Sequence, residues 1–174
     1  DNLDPNAICQ LLTVYLDANG NANITGYDVA SGSTDNCSVT NIQVNPSSFN
    51  CSDLGNNPVT VIVEDQSGND DFCFSTVTVV DNTAPIIACS SDLMVNNDAG
   101  ACGAVVNFNI TATDNCSVAT VTVSPSTFTC ANVGPNTVTL TVTDASGNTS
   151  TGTAVVTVQD LVAPTVITRP ITVL

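Results

Sequence analysis

The chain repeats itself. Asp35 to Asn69 aligns with Asp114 to Asn148 at a constant shift of 79 residues, and 19 of the 35 positions are identical. Both copies read Asp-Asn-Cys-Ser-Val, then Pro-Ser-x-Phe-x-Cys, then a Gly, then Val-Thr, then Asp-x-Ser-Gly-Asn. A period near 79 is too long for a solenoid turn and suits one small independent domain. The sequence therefore reads as an array of one module, and an array multiplies length, reach and valency.

The boundary signal is Asp81-Asn82-Thr83-Ala84-Pro85. It recurs as Asp160-Leu161-Val162-Ala163-Pro164 and, more weakly, as Asp1-Asn2-Leu3-Asp4-Pro5. This predicts modules over 1–80 and 81–159, with 160–174 as the first strand of a third copy. The apolar residues Val166, Ile167, Ile171, Val173 and Leu174 suit such a strand. The chain then reads as a piece of something longer.

Charge removes whole classes of partner. There are 16 acidic residues against one basic residue, Arg169, and no His, for a net charge of −15. Nucleic acids require Lys and Arg to displace counterions from phosphates, and anionic membrane surfaces attract the same cations. Both are excluded as partners. Acid excess points instead to solubility, self-repulsion or divalent cations. No apolar run reaches the 18 or so residues of a membrane span.

Strand signals dominate. Val59 to Val63, Ser75 to Val80, Val138 to Thr143 and Thr153 to Val158 alternate with a period of two and are rich in Val and Thr. Such β-branched residues fit a pleated, half-buried surface. Turn clusters separate these runs at Asp17 to Asn21, Ser67 to Asn69, Asn96 to Gly100 and Ser146 to Asn148. No stretch combines a helical period with caps. About seven short strands per module predict an all-β chain of immunoglobulin-like antiparallel β-sandwiches, arranged end to end.

Eight Cys and no C-x-x-C pair read as disulfides, and hence as an oxidising, extracellular compartment. A small module without Trp is short of core and needs such staples. The repeat matches Cys37 to Cys116 and Cys51 to Cys130, which predicts Cys37–Cys51 and Cys116–Cys130 within modules. By elimination the remaining pairs are Cys9–Cys73 and Cys89–Cys102.

These residues resemble a known family. Asp-x-x-Ala-Pro, then Ile-x-Cys or Ile-Cys, then Thr-Asp-Asn-Cys, then Thr-Val-Thr-Asp-x-Ser-Gly-Asn looks like the HYR (hyalin repeat) modules and their bacterial immunoglobulin-like relatives. Leu16 to Thr25 and Ser47 to Cys51 resemble the version in long secreted or cell-surface adhesins of gliding bacteria. The resemblance covers nearly the whole chain. It implies an extracellular adhesive or spacer role. Module 2 departs from the pattern at Gly152, where module 1 has Cys73, and module 1 lacks the Cys that module 2 keeps at Cys102-Gly103-Ala104.

Little here could carry catalysis. Without His or Lys there is no Ser-His-Asp triad, Cys-His pair or Schiff-base lysine, so the chain reads as not an enzyme. Asp70 and Asp71 are adjacent and would face opposite sides of a strand. Calcium is the serious cofactor candidate. In a sandwich of this type Thr-Asp-Asn-Cys falls in the B–C loop, Asp-x-Ser-Gly-Asn falls in the F–G loop, and the linker arrives beside both. This gathers Asp81, Asn82, Asp114, Asn115, Asp144 and Asn148 for module 2. Module 1 offers Asp1, Asn2, Asp35, Asn36, Asp65 and Asn69. Calcium takes six to eight oxygen ligands from such groups. The competing explanation is that Asp, Asn and Gly are simply turn formers.

Two functions follow. One is a structural repeat of a long cell-surface adhesin or filament, its partners being neighbouring repeats or other copies, stiffened by calcium between modules. The other is an accessory polysaccharide-binding module of a secreted multidomain enzyme. The second wants exposed aromatic rings, and Tyr15 and Tyr27 are the only tyrosines.

Overall fold

A computed structural model describes residues 2–88, 92–98, 103–164 and 166–167. The first repeat contributes β1 (Leu12–Tyr15), β2 (Asn21–Asn23), α1 (Gly26–Ala30), β3 (Val39–Asn45), β4 (Ser48–Asn50), β5 (Gly55–Asp65) and β6 (Asp70–Val80). The second contributes β7 (Ile86–Ala88), β8 (Leu93–Asn96), β9 (Ala104–Val105), β10 (Thr111–Thr113), β11 (Val118–Ser124), β12 (Thr127–Phe128), β13 (Gly134–Asp144) and β14 (Thr149–Gln159). All four runs of alternating Val and Thr lie within long strands.

The two repeats share one strand plan. A four-stranded sheet runs β1-β6-β5-β3 in the first and β8-β14-β13-β11 in the second. A two-stranded piece faces each: β2 with β4, and β9 with β12. Ala22 opposes Phe49 in one, and Ala104 opposes Phe128 in the other. Those four residues join the buried Val of the larger sheets in two separate cores. The fold is thus all-β and sandwich-like, because each core is filled from two facing sheets. Even the cis peptide bonds repeat, at Asn45-Pro46 and Ser124-Pro125.

The sheets are not purely antiparallel, contrary to the sequence-based expectation. β1 runs parallel to β6, and β8 runs parallel to β14. The reason is that the opening strand changes sheets. Asn6 first bridges Thr34, antiparallel, before the chain crosses to β6 as β1. In the second repeat β7 pairs with β10 before β8 joins β14. Parallel pairing needs a long connection, and most of a module separates these strands.

A second difference is α1. Its signal was present as Thr25-x-x-Asp28, a capping pattern. Asp28 accepts hydrogen bonds from the Thr25 backbone N–H and hydroxyl, each at 2.7 Å. One five-residue turn carries too little periodicity to be read as a helix.

Contacts divide the chain into two units. The first is Asp1–Pro85 with Thr113–Ala119 and Thr143–Thr149; the second is Ile86–Ala112, Thr120–Val142 and Ser150–Leu174. Two loops of the second repeat therefore belong to the first unit. Pro85 is fully buried immediately before β7, where its missing N–H costs the ladder nothing. In the tail, Val166 and Ile167 are exposed, while Ile171, Val173, Leu174 and Arg169 lie outside the described residues.

The disulfides differ from expectation. Cys9 and Cys73 are bridged, with Cα atoms 5.9 Å apart, where the opening strand changes sheets. Cys51 is bridged to Cys116 at a Cα separation of 5.5 Å, so neither Cys37–Cys51 nor Cys116–Cys130 forms. Cys37 is exposed, and Cys130 is in a disulfide. The expected Cys89–Cys102 pair lies outside the described residues. Equivalence between repeats assumed that each module staples itself. Instead, the Asp114-Asn115-Cys116 loop packs on the turn of the first repeat at Asp17 to Gly20. Asn115 Nδ2 donates to the Asp17 carbonyl at 3.1 Å. Gly20 makes the approach feasible: a Cβ there would lie 2.6 Å from both the Asn115 carbonyl oxygen and Cys51 Sγ. The bridge joins the two sequence repeats, and both its cysteines belong to the first unit.

Candidate metal centre

Three carboxylates from three distant chain segments converge in the first unit. Asp81 follows β6, Asp114 follows β10, and Asp144 closes β13. One carboxylate oxygen from each lies within 4.8 Å of the others. Asp81 and Asp144 are only 5% and 3% exposed, and Asp114 is half-buried. Like charges this close disfavour one another, more so away from water. The chain's sole basic side chain, Arg169, lies outside the described residues, so none of those residues offsets the cluster with a basic side chain.

Backbone and neutral donors hold the acids in place. Asp81 Oδ1 accepts from the Thr83 N–H at 3.1 Å, and Oδ2 from the Ser146 hydroxyl at 3.2 Å. Asp114 Oδ2 accepts from the N–H groups of Cys116 and Ser117 at 3.0 and 3.1 Å. Asp144 Oδ1 accepts from the Asn148 N–H at 2.7 Å. The Asn148 amide then donates to Asp144 Oδ2 at 2.7 Å and to the Asp81 carbonyl at 3.1 Å. Gly147, at φ 93°, makes the turn that returns Asn148 to Asp144. These are Asx turns, so the turn-former explanation is correct about the loops, but it does not account for their convergence.

Two oxygens remain over. Asp114 Oδ1 and Asn115 Oδ1 are buried and have no hydrogen-bond partner. A buried acceptor without a donor is costly unless something else satisfies it. Three carboxylates form an all-oxygen donor set, which suits a hard divalent cation such as calcium rather than zinc or copper. The residues present fit that group.

The predicted ligands therefore divide. Asp81, Asp114 and Asp144 come together, while the Asn115 amide donates to the Asp17 turn instead. Asn148 serves as a donor that orients two of the acids. Asn82 is exposed. In the first-repeat set, Asp1 lies outside the described residues. Asp35 repeats the Asp114 turn, accepting from the N–H groups of Cys37 and Ser38 at 2.7 and 3.1 Å. Asp65 repeats the Asp144 turn with Ser67 and Asn69. Burial pushes the Asp65 carboxyl up, but hydrogen bonds from Asn69, Ser67 and Gly68 outweigh it and hold it below the ordinary range. The role of Ser146 escaped the sequence reading, although its counterpart Ser67 in the repeated Asp-x-Ser-Gly-Asn was a visible signal.

No family model and no curated protein matches the chain. Solved structures do. Human protocadherin-24 EC1-2 is 17% identical, with 91% of this chain and 99% of that chain covered and a TM-score of 0.42. The protocadherin gamma B7 cadherin domains 1-4 are 12% identical over 90% of this chain, at a TM-score of 0.37, and this chain spans 51% of their length. The fibronectin(III)-like modules of Clostridium thermocellum CbhA are 11% identical, covering 94% of this chain and all of that one, with a TM-score of 0.37. Among the described residues no helix is long and apolar enough to cross a membrane.

Proposed function

We propose that the chain is a structural repeat of a long extracellular cell-surface adhesin or filament, of HYR type, held together by disulfides and by calcium at Asp81, Asp114 and Asp144. The observation that carries this reading is the meeting of those three carboxylates within 4.8 Å, two of them buried, with the unpartnered Asp114 Oδ1 beside them. Thr83, Ser146 and Asn148 position the acids. A calcium ion supplies the positive charge that this acidic chain lacks. Three segments that otherwise repel would then be tied into one folded unit, which is what a load-bearing repeat outside the cell requires. Extracellular calcium is abundant enough for modest sites to fill. The test is calcium binding by isothermal titration calorimetry on the chelator-treated chain. One site that weakens at least tenfold in Asp114→Asn supports the reading; an absence of binding at millimolar calcium refutes it.

A further inference from the structure

We infer that the outer face of β3-β5-β6 is a binding site for a neutral polysaccharide. The strand registers place three rungs on this face: Asn41, Glu64 and Asp70; Gln43, Ile62 and Phe72; Asn45, Thr60 and Phe74. The core side is set by Val59, Val61 and Val63, so these residues point away from it. Phe72 and Phe74 are 58% and 72% exposed, and their rings meet edge to face at 5.6 Å. In a chain with five Phe in all, leaving two adjacent ones in water needs a reason.

The second repeat shows that the fold does not need them. At the shift of 79, the positions equivalent to Asn41, Gln43 and Asn45 are Thr120, Thr122 and Ser124. Thr60, Ile62 and Glu64 become Thr139, Thr141 and Thr143, while Phe72 and Phe74 become Thr151 and Thr153. One repeat thus carries a plain hydroxyl face. The other replaces it with rings on one strand and amides two strands away.

Chemistry selects the occupant. A pyranose presents C–H groups to an aromatic ring and hydroxyls to amides and carboxylates, and this face offers both. The side-chain amides of Gln43 and Asn45 make no hydrogen bond among the described residues and are exposed. A shallow, open depression of about 290 Å³ lies at Gln43, Asn45, Thr60 and Ile62. Another of about 390 Å³ lies beyond Phe74, beside Gln10 and Leu11. They lie on either side of the Phe74 ring, so a linear chain would cross the strands over roughly 15 Å, at about 4.8 Å per strand. Glu64, Asp70 and the net charge of −15 disfavour anionic polymers. The site shares no residue with the acid cluster.

Affinity gel electrophoresis of the 174-residue chain tests this, with hydroxyethyl cellulose, laminarin, galactomannan and xylan as neutral probes and alginate as the anionic one. Retardation by at least one neutral polymer is expected, with none by alginate. Phe72→Ala/Phe74→Ala should weaken it roughly tenfold or more, as loss of an aromatic anchor does, whereas Thr151→Ala/Thr153→Ala should not. Phe74→Trp keeps the ring and should keep binding, which separates loss of contact from loss of fold. Failure of every neutral polymer, unaltered retardation in the Phe double variant, or self-association that the Phe double variant abolishes would each overturn the inference.

Discussion

At the scale of the residue, hydrogen bonds decide what the acids do. Asp65 and Asp28 are both held below the ordinary aspartate value of about 3.9. For Asp28 the Thr25 hydroxyl and backbone N–H are the cause. A carboxyl whose pKa is lower folded than unfolded contributes stability above its unfolded value. That contribution is lost as pH falls through its folded value. The melting temperature should therefore hold from pH 7 to about 5 and fall below about 4. Asp65→Asn should be less stable at pH 7 and show a shallower acid limb in melts followed by circular dichroism. Gly20 is the second residue-scale test. With φ at 75° and no room for a Cβ against Cys51 and Asn115, Gly20→Ala should cost about 1–3 kcal/mol in denaturant unfolding.

At the scale of the element, sequence and structure agree most where periodicity is longest. The eleven-residue strands β5, β6, β13 and β14 were legible only through the alternating, Val- and Thr-rich runs inside them, Val59 to Val63, Ser75 to Val80, Val138 to Thr143 and Thr153 to Val158. The α1 turn was not, since a single turn buries only Val29, Ala30 and Gly26 and leaves no repeating stripe. The parallel pairing of β1 with β6 was also hidden, because pairing partners far apart in sequence leave no local trace. The three acids were found because the repeat placed them at the same loop ends. The Cys51–Cys116 bridge was missed by the same logic, since equivalence between repeats says nothing of contacts that cross from one to the other. That bridge closes 65 residues and should contribute about 4 kcal/mol in the chain-entropy view. Non-reducing peptide mapping should recover Cys51 joined to Cys116. Cys51→Ser/Cys116→Ser should lower the melting temperature and weaken calcium binding, because Cys116 follows Asp114 within two residues. Recovery of Cys37 joined to Cys51 would contradict the arrangement described above.

At the scale of the whole molecule, charge and calcium are one question. A chain with 16 acidic residues and one basic residue has almost no internal means of neutralising a buried carboxylate cluster. A cation that binds only the folded state stabilises it by mass action, by about 2.7 kcal/mol at a hundredfold excess over its dissociation constant. The most direct measurement is differential scanning calorimetry of the chain in chelator, in magnesium and in millimolar calcium, alongside Asp114→Asn. The account predicts a melting temperature that rises by several degrees in calcium, moves much less in magnesium, and loses most of its calcium response in Asp114→Asn. Equal melting temperatures in calcium and chelator would contradict it, and the three aspartates would then be turn residues that happen to meet.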